Sequence, residues 1–147
     1  MPTRTARTAW NGTLQEGSGQ VELSSSGVGT YDVSFPKRAA EDAGGTTSPE
    51  ELVAAAHSAC YAMSLSNLVT GAGGTVQALD VSADVTLGPD EAAGGFKLTG
   101  IVLRVRGEVD GLDDAAFKDA AEKAKAECPI SKALAAVDIT LEATLEG

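Results

Sequence analysis

The sequence predicts an α+β fold: an antiparallel sheet of about six strands, one long buried central helix and a second helix, in the order β-β-β-α-β-β-α-β. Three observations carry this prediction. Glycines cut the first third of the chain into short runs with partial two-residue alternation. The middle holds an apolar stretch of helical length. Near the end, Val137, Ile139, Leu141, Ala143 and Leu145 alternate strictly with Asp138, Thr140, Glu142, Thr144 and Glu146, a strand with one buried and one wet face. Elements of this kind in this order make an α+β domain. At 147 residues the chain fits a single domain, 1–147, with no linker, internal repeat or low-complexity tract.

Taken in order, Thr8–Gln15, Gln20–Ser24 and Thr30–Phe35 read as strands joined in hairpins, with Gly17, Gly19, Gly27 and Gly29 between them. Ala39–Thr47 is polar and glycine-containing, a surface loop. Ser48-Pro49-Glu50-Glu51 then starts a helix: Ser48 is the N-cap, proline takes the first helical position, and Glu51 completes a capping box. From Leu52 to Val69 almost every face is apolar, which marks a buried helix. One sheet covers one side of such a helix, so a second copy of the chain is expected on the other. Gly71 and Gly73-Gly74 end it. Leu79–Leu87 and Phe96–Val109 follow as long strands joined through Gly88–Gly95. The second helix spans Asp114–Glu127, with Asp113 as N-cap and Leu112 and Phe117 at hydrophobic-staple spacing. Its apolar stripe, Phe117, Ala120, Ala121 and Ala124, continues into Cys128. Pro129 interrupts it, and Ile130–Ala136 is expected to add a short turn.

Composition removes several function classes. Eleven basic against 21 acidic residues leave a formal charge of −10, which repels a phosphate backbone and argues against nucleic-acid binding. No run of 18 apolar residues is present, so no membrane span is expected. Met1–Arg7 is basic without an apolar segment behind it, unlike a secretory signal, so the expected compartment is the reducing cytoplasm. The two cysteines, Cys60 and Cys128, lie 128 − 60 = 68 residues apart and make no CxxC or zinc motif. The glycine clusters match neither a P-loop nor a dinucleotide fingerprint, no metal-ligand spacing occurs, and there is no GxSxG elbow. No cofactor is expected.

Taken singly, the chemistry-bearing residues have ordinary readings. Cys60 is a small hydrophobe in a buried helix. It stands about twelve residues past the N-cap, beyond the reach of the helix dipole, so activating its thiol requires a nearby cation. Arg38, in the loop before the helix, is the best-placed candidate, though by itself it reads as a solvated surface arginine. Glu50 complements the dipole at the helix start. His57, three residues before Cys60 on the same face, reads as a hydrogen-bonded core histidine or as a base for the thiol. Cys128 packs a helix end.

In combination they say more. Ser48–Ser66, SPEELVAAAHSACYAMSLS, closely resembles the first-cysteine helix of the OsmC family of thiol peroxidases. Cys128–Leu134, CPISKAL, resembles that family's second-cysteine motif, CPxSxxL, and the order of elements matches along essentially the whole chain. The match is closer to the OsmC branch than to the sister Ohr branch. Ohr proteins carry their arginine on an N-terminal strand and usually read CPYS, whereas Gln20–Thr30 here contains no arginine. The resemblance implies an intertwined homodimer with central helices, reducing organic hydroperoxides and, more weakly, hydrogen peroxide. Cys60 would be the attacking thiol, Cys128 its disulfide partner, Arg38 the activating cation and Glu50 the residue orienting it. The resemblance also implies an external dithiol, of lipoyl type, that would regenerate the thiols. Set against it is a binding protein for a hydrophobic ligand, with both cysteines structural.

Overall fold

The computed structural model describes residues 1–147, which gather into two compact units, 1–52 and 53–147. In the first, the glycine-punctuated runs become β1 (Arg7–Asn11), β2 (Ser18–Glu22) and β3 (Thr30–Val33), an antiparallel sheet in the order β1-β2-β3. The β1–β2 connection requires glycine at position 17. Its N–H donates to Thr13 O at 2.7 Å, and a Cβ there would collide with that same carbonyl. Phe35 is not the end of a strand, as the sequence reading had it. Ser34 accepts from the Lys37 N–H, and with Pro36 in the first turn the chain winds into a single helical turn, α1 (Phe35–Arg38), that carries Arg38 at its end.

The long helix, α2 (Pro49–Gly71), begins at the expected cap: the Glu51 N–H donates to Ser48 Oγ at 3.2 Å. The Glu51 carboxylate accepts from the Thr47 hydroxyl at 2.6 Å. By composition α2 is long and apolar enough to cross a membrane. Its fully buried stripe of His57, Tyr61, Leu65 and Val69, however, repeats every four residues and enters the core of the second unit. In the single chain Ala55, Ala56, Ala59 and Met63 remain exposed, Met63 by 74%.

In the second unit β4 (Thr75–Pro89) and β5 (Phe96–Asp110) form a long antiparallel ladder closed by a turn in which Gly94 and Gly95 take positive φ. α3 (Asp114–Glu127) starts at Asp113, whose carboxylate accepts from the Ala116 N–H at 2.8 Å. α4 (Pro129–Ala133) is the expected short turn after the proline, and β6 (Ile139–Leu145) keeps its in-out alternation. Two features differ from the expected single antiparallel sheet. The six strands divide into two three-stranded sheets, and β6 pairs with β5 in parallel. The helical crossover through α3 and α4 explains the second difference, because it returns the chain to the same end of the sheet. Ile101, Leu103 and Val105 of β5 pack with Tyr61 and Leu65 of α2 and with Phe117 and Ala121 of α3. Full burial of each large side chain in this cluster is worth about 1.5–3 kcal/mol.

Candidate active site

The expected site residues form two pairs, one in each unit. In the first, Arg38 Nε lies 3.0 and 3.1 Å from the two Glu50 carboxylate oxygens, and Nη2 lies 2.6 Å from Oε1. This fork-on-carboxylate geometry fixes the guanidinium plane as well as its charge. Glu50 is nearly buried at the first turn of α2, while Arg38 remains partly exposed. Burial acts to raise the Glu50 pKa. The Arg38 hydrogen bonds, the Glu50 backbone N–H, the Arg38 charge and the Ser48 hydroxyl outweigh it and hold the carboxyl below the ordinary range. An apolar pocket of about 240 Å³ in the same unit is lined by Trp10, Leu14, Val21, Phe35 and Leu52, with Arg38 in its wall.

In the second unit Cys60 and Cys128 are both free thiols, Cys60 packs against the core cluster that holds Cys128, and each acts on the other's ionisation. Cys128 is fully buried and Cys60 partly exposed. Burial, then the Cys128 contact, pushes the Cys60 thiol up, against weaker help from the Ile130 N–H and Ser64. Burial also acts to raise Cys128, but the Ser131 N–H, the Cys60 thiol, the Ile130 N–H and the Ser131 hydroxyl pull it down. In the single chain, burial thus disfavours the Cys60 thiolate, while the donors around Cys128 favour its thiolate. None of the groups acting on Cys60 here is a cation, whereas lowering its pKa requires one.

His57 is the core histidine the sequence indicated: fully buried, neutralised by burial, with Nε2 2.7 Å from Ser131 Oγ. Ser131 is the residue sequence reasoning left without a role. The available signal was its place as the serine of the CPISKAL motif, three residues after Cys128.

The OsmC-like protein family model matches residues 42–142, which include α2, both cysteines and most of β6. The chain belongs to the OsmC family. Peroxiredoxin OsmC of Escherichia coli (strain K12) is 39% identical over 138 residues, covering 94% of this chain and 93% of that protein. An organic hydroperoxide resistance protein of Xanthomonas axonopodis pv. citri (strain 306) is 34% identical over 117 residues, covering 74% of this chain and 75% of its own length. Among solved structures, the organic hydroperoxide resistance protein OhrB of Bacillus subtilis superposes with a TM-score of 0.76 at 30% identity, over 95% of this chain and 98% of that one. The two OsmC motifs thus carry Glu50 and the two free thiols, Cys60 and Cys128, while Arg38 lies just ahead of the matched residues.

Proposed function

We propose that this OsmC-family protein is a cysteine-based peroxidase that reduces organic hydroperoxides to alcohols and hydrogen peroxide more weakly. The observation that supports this best is the meeting of Cys60 and Cys128, far apart in sequence, as two free thiols in one core. Cys60 thiolate attacks the peroxide O–O bond. The distal oxygen stays on sulfur as a sulfenic acid, and the other leaves as alkoxide and takes a proton to become the alcohol. Arg38 stabilises the thiolate and the charge on the leaving oxygen, held to that task by Glu50. Cys128 then condenses with the sulfenic acid, releasing water and forming the Cys60–Cys128 disulfide. An external dithiol of lipoyl type reduces it. The apolar pocket beside Arg38 would take the alkyl part of the substrate and favour bulky peroxides. The cytoplasm, where both thiols start reduced, suits the cycle.

The working form is a homodimer in this reading. Glu50 and Cys60 stand ten residues apart on α2, about 15 Å of rise, and at ~100° per residue they point about 80° apart around the axis. With Arg38 held by Glu50, a second α2 running antiparallel would bring the ion pair of one copy to Cys60 of the other. It would also cover the exposed flank of Ala55, Ala56, Ala59 and Met63.

Consumption of cumene hydroperoxide with excess dithiol tests the activity. Wild type is expected to turn over, Cys60→Ser to be inactive, and Cys128→Ser to accumulate a trappable sulfenic acid on Cys60. Wild-type protein that binds hydrophobic ligands but consumes no peroxide would establish the binding protein instead.

A further inference from the structure

Two residues that the peroxidase chemistry leaves unused are joined in the core. His57 Nε2 meets Ser131 Oγ at 2.7 Å, while His57 Nδ1, equally buried, has no hydrogen-bond partner. Ser131 is the third residue of α4, whose N-cap is the fully buried Cys128, and its hydroxyl acts on that sulfur to favour the thiolate. A serine hydroxyl has a single hydrogen to give, so it donates either to His57 or to Cys128. The imidazole decides which. Burial keeps the ring neutral, with one proton. On Nδ1 that proton would be a buried N–H without an acceptor, an arrangement interiors avoid. On Nε2 it is donated to Ser131 Oγ, which frees the serine hydrogen for the sulfur and adds one hydrogen bond. The tautomer follows from this network.

We propose that His57 is a positioning residue for the disulfide-forming half of the reaction: from Nε2–H it holds Ser131 as an acceptor and aims the Ser131 hydroxyl hydrogen at Cys128 Sγ. This rests on the reading of Cys128 as the thiol that resolves the Cys60 sulfenic acid. In that step the S–S bond forms as the Cys60 S–O bond breaks. The departing oxygen takes the electron pair of that bond and the proton released by Cys128, and leaves as water. Cys128 sulfur is oxidised and the sulfenic sulfur reduced, so no outside electrons enter. A hydroxyl donates more strongly to anionic sulfur than to a neutral thiol, so the contact favours the attacking form. The other titratable groups around the pair are Cys60 and Tyr61, with Glu122 of α3 acting on Tyr61. The Tyr61 phenol is already committed to Ala121 O at 3.0 Å.

Thiolate ultraviolet absorbance against pH, in a Cys60→Ser background, reads Cys128 without requiring reagent to reach a buried sulfur. His57→Phe keeps the ring bulk and removes both nitrogens. It is expected to raise the Cys128 midpoint by about one pH unit, the scale of one charge-assisted hydrogen bond. Ser131→Ala is expected to do the same and to add little to His57→Phe. His57→Gln, whose amide can donate from near the Nε2 position, is expected to restore most of the shift, which a merely space-filling histidine would not allow. With both cysteines present, dimedone trapping should show wild-type rates of Cys60 oxidation while disulfide formation slows about threefold: tenfold less thiolate, offset about threefold by the greater nucleophilicity of a more basic sulfur. If His57→Phe does not fold, Ser131→Ala and His57→Gln carry the comparison. An unshifted midpoint in Ser131→Ala, or a His57→Gln midpoint as high as that of Ser131→Ala, overturns the proposal while leaving the peroxidase reading intact. Wild-type protein that forms no Cys60–Cys128 disulfide with one equivalent of peroxide overturns the resolving role of Cys128, and the proposal with it.

Discussion

Replacing Glu50 by Gln tests the ion pair with little change of shape. The carboxylate takes three contacts from Arg38, at 3.0, 3.1 and 2.6 Å, from a nearly buried position at the start of α2. An amide there turns its NH₂ toward a guanidinium that has only donors to offer. Exposed ion pairs contribute about 0–1 kcal/mol, and breaking a fully buried one costs about 3–5. Glu50 is 10% exposed in its side chain but Arg38 is 31%, which places this pair between those limits. The expected loss is about 2 kcal/mol, including a few tenths from the helix dipole. Its pH dependence follows from the depressed Glu50 pKa. The contribution is fully present above the ordinary carboxylate range and is lost as pH falls through the lower folded-state value, while Gln does not titrate. Urea unfolding of both proteins across acid pH should therefore show a gap of about 2 kcal/mol near neutrality that closes on acidification, with similar m-values. Peroxide turnover should fall about 10–100-fold, because a released Arg38 loses its orientation. A gap below about 0.5 kcal/mol, or one that persists unchanged into acid, would refute the reasoning.

Two further outcomes are expected. Gly107→Ala should cost about 1–3 kcal/mol in urea unfolding, because a Cβ there would lie 2.7 Å from two ring carbons of the buried Phe117. Gly100→Ala on the same strand, where a Cβ finds nothing nearer than Asp138 O at 3.9 Å, should be near neutral. Mixing Glu50→Ala and Cys60→Ser subunits should restore partial activity through heterodimers with one intact site, although each variant alone is crippled; a fully active monomer by light scattering would rule out the shared site.

What the sequence made legible was local. The Ser48 and Asp113 caps, the Phe117–Ala124 stripe and the alternation of β6 each depend on residues within a few positions of one another, and each stands as expected. The features it missed depend on distant partners. Nothing near β6 distinguishes a parallel from an antiparallel neighbour, since alternation is the same in both. Likewise His57 finds Ser131 across 74 residues, so the sequence could place a buried histidine without naming its partner. The apolar excess of α2 carries information of a third kind. Its composition predicted cover on every side, yet beyond Glu50 in its first turn the single chain fully buries only the stripe through His57, Tyr61, Leu65 and Val69 and leaves Met63 in water. A helix shaped by folding alone would have polar residues at Ala55, Ala56, Ala59 and Met63. The mismatch between a uniformly apolar sequence and one-sided burial is what an obligate second copy would leave in the sequence. The same absence bears on Cys60, whose thiol burial pushes up in the single chain. If the second copy brings Arg38, one association event both covers the exposed flank and supplies the charge that lowers this pKa, so peroxidase activity and dimerisation should be lost together.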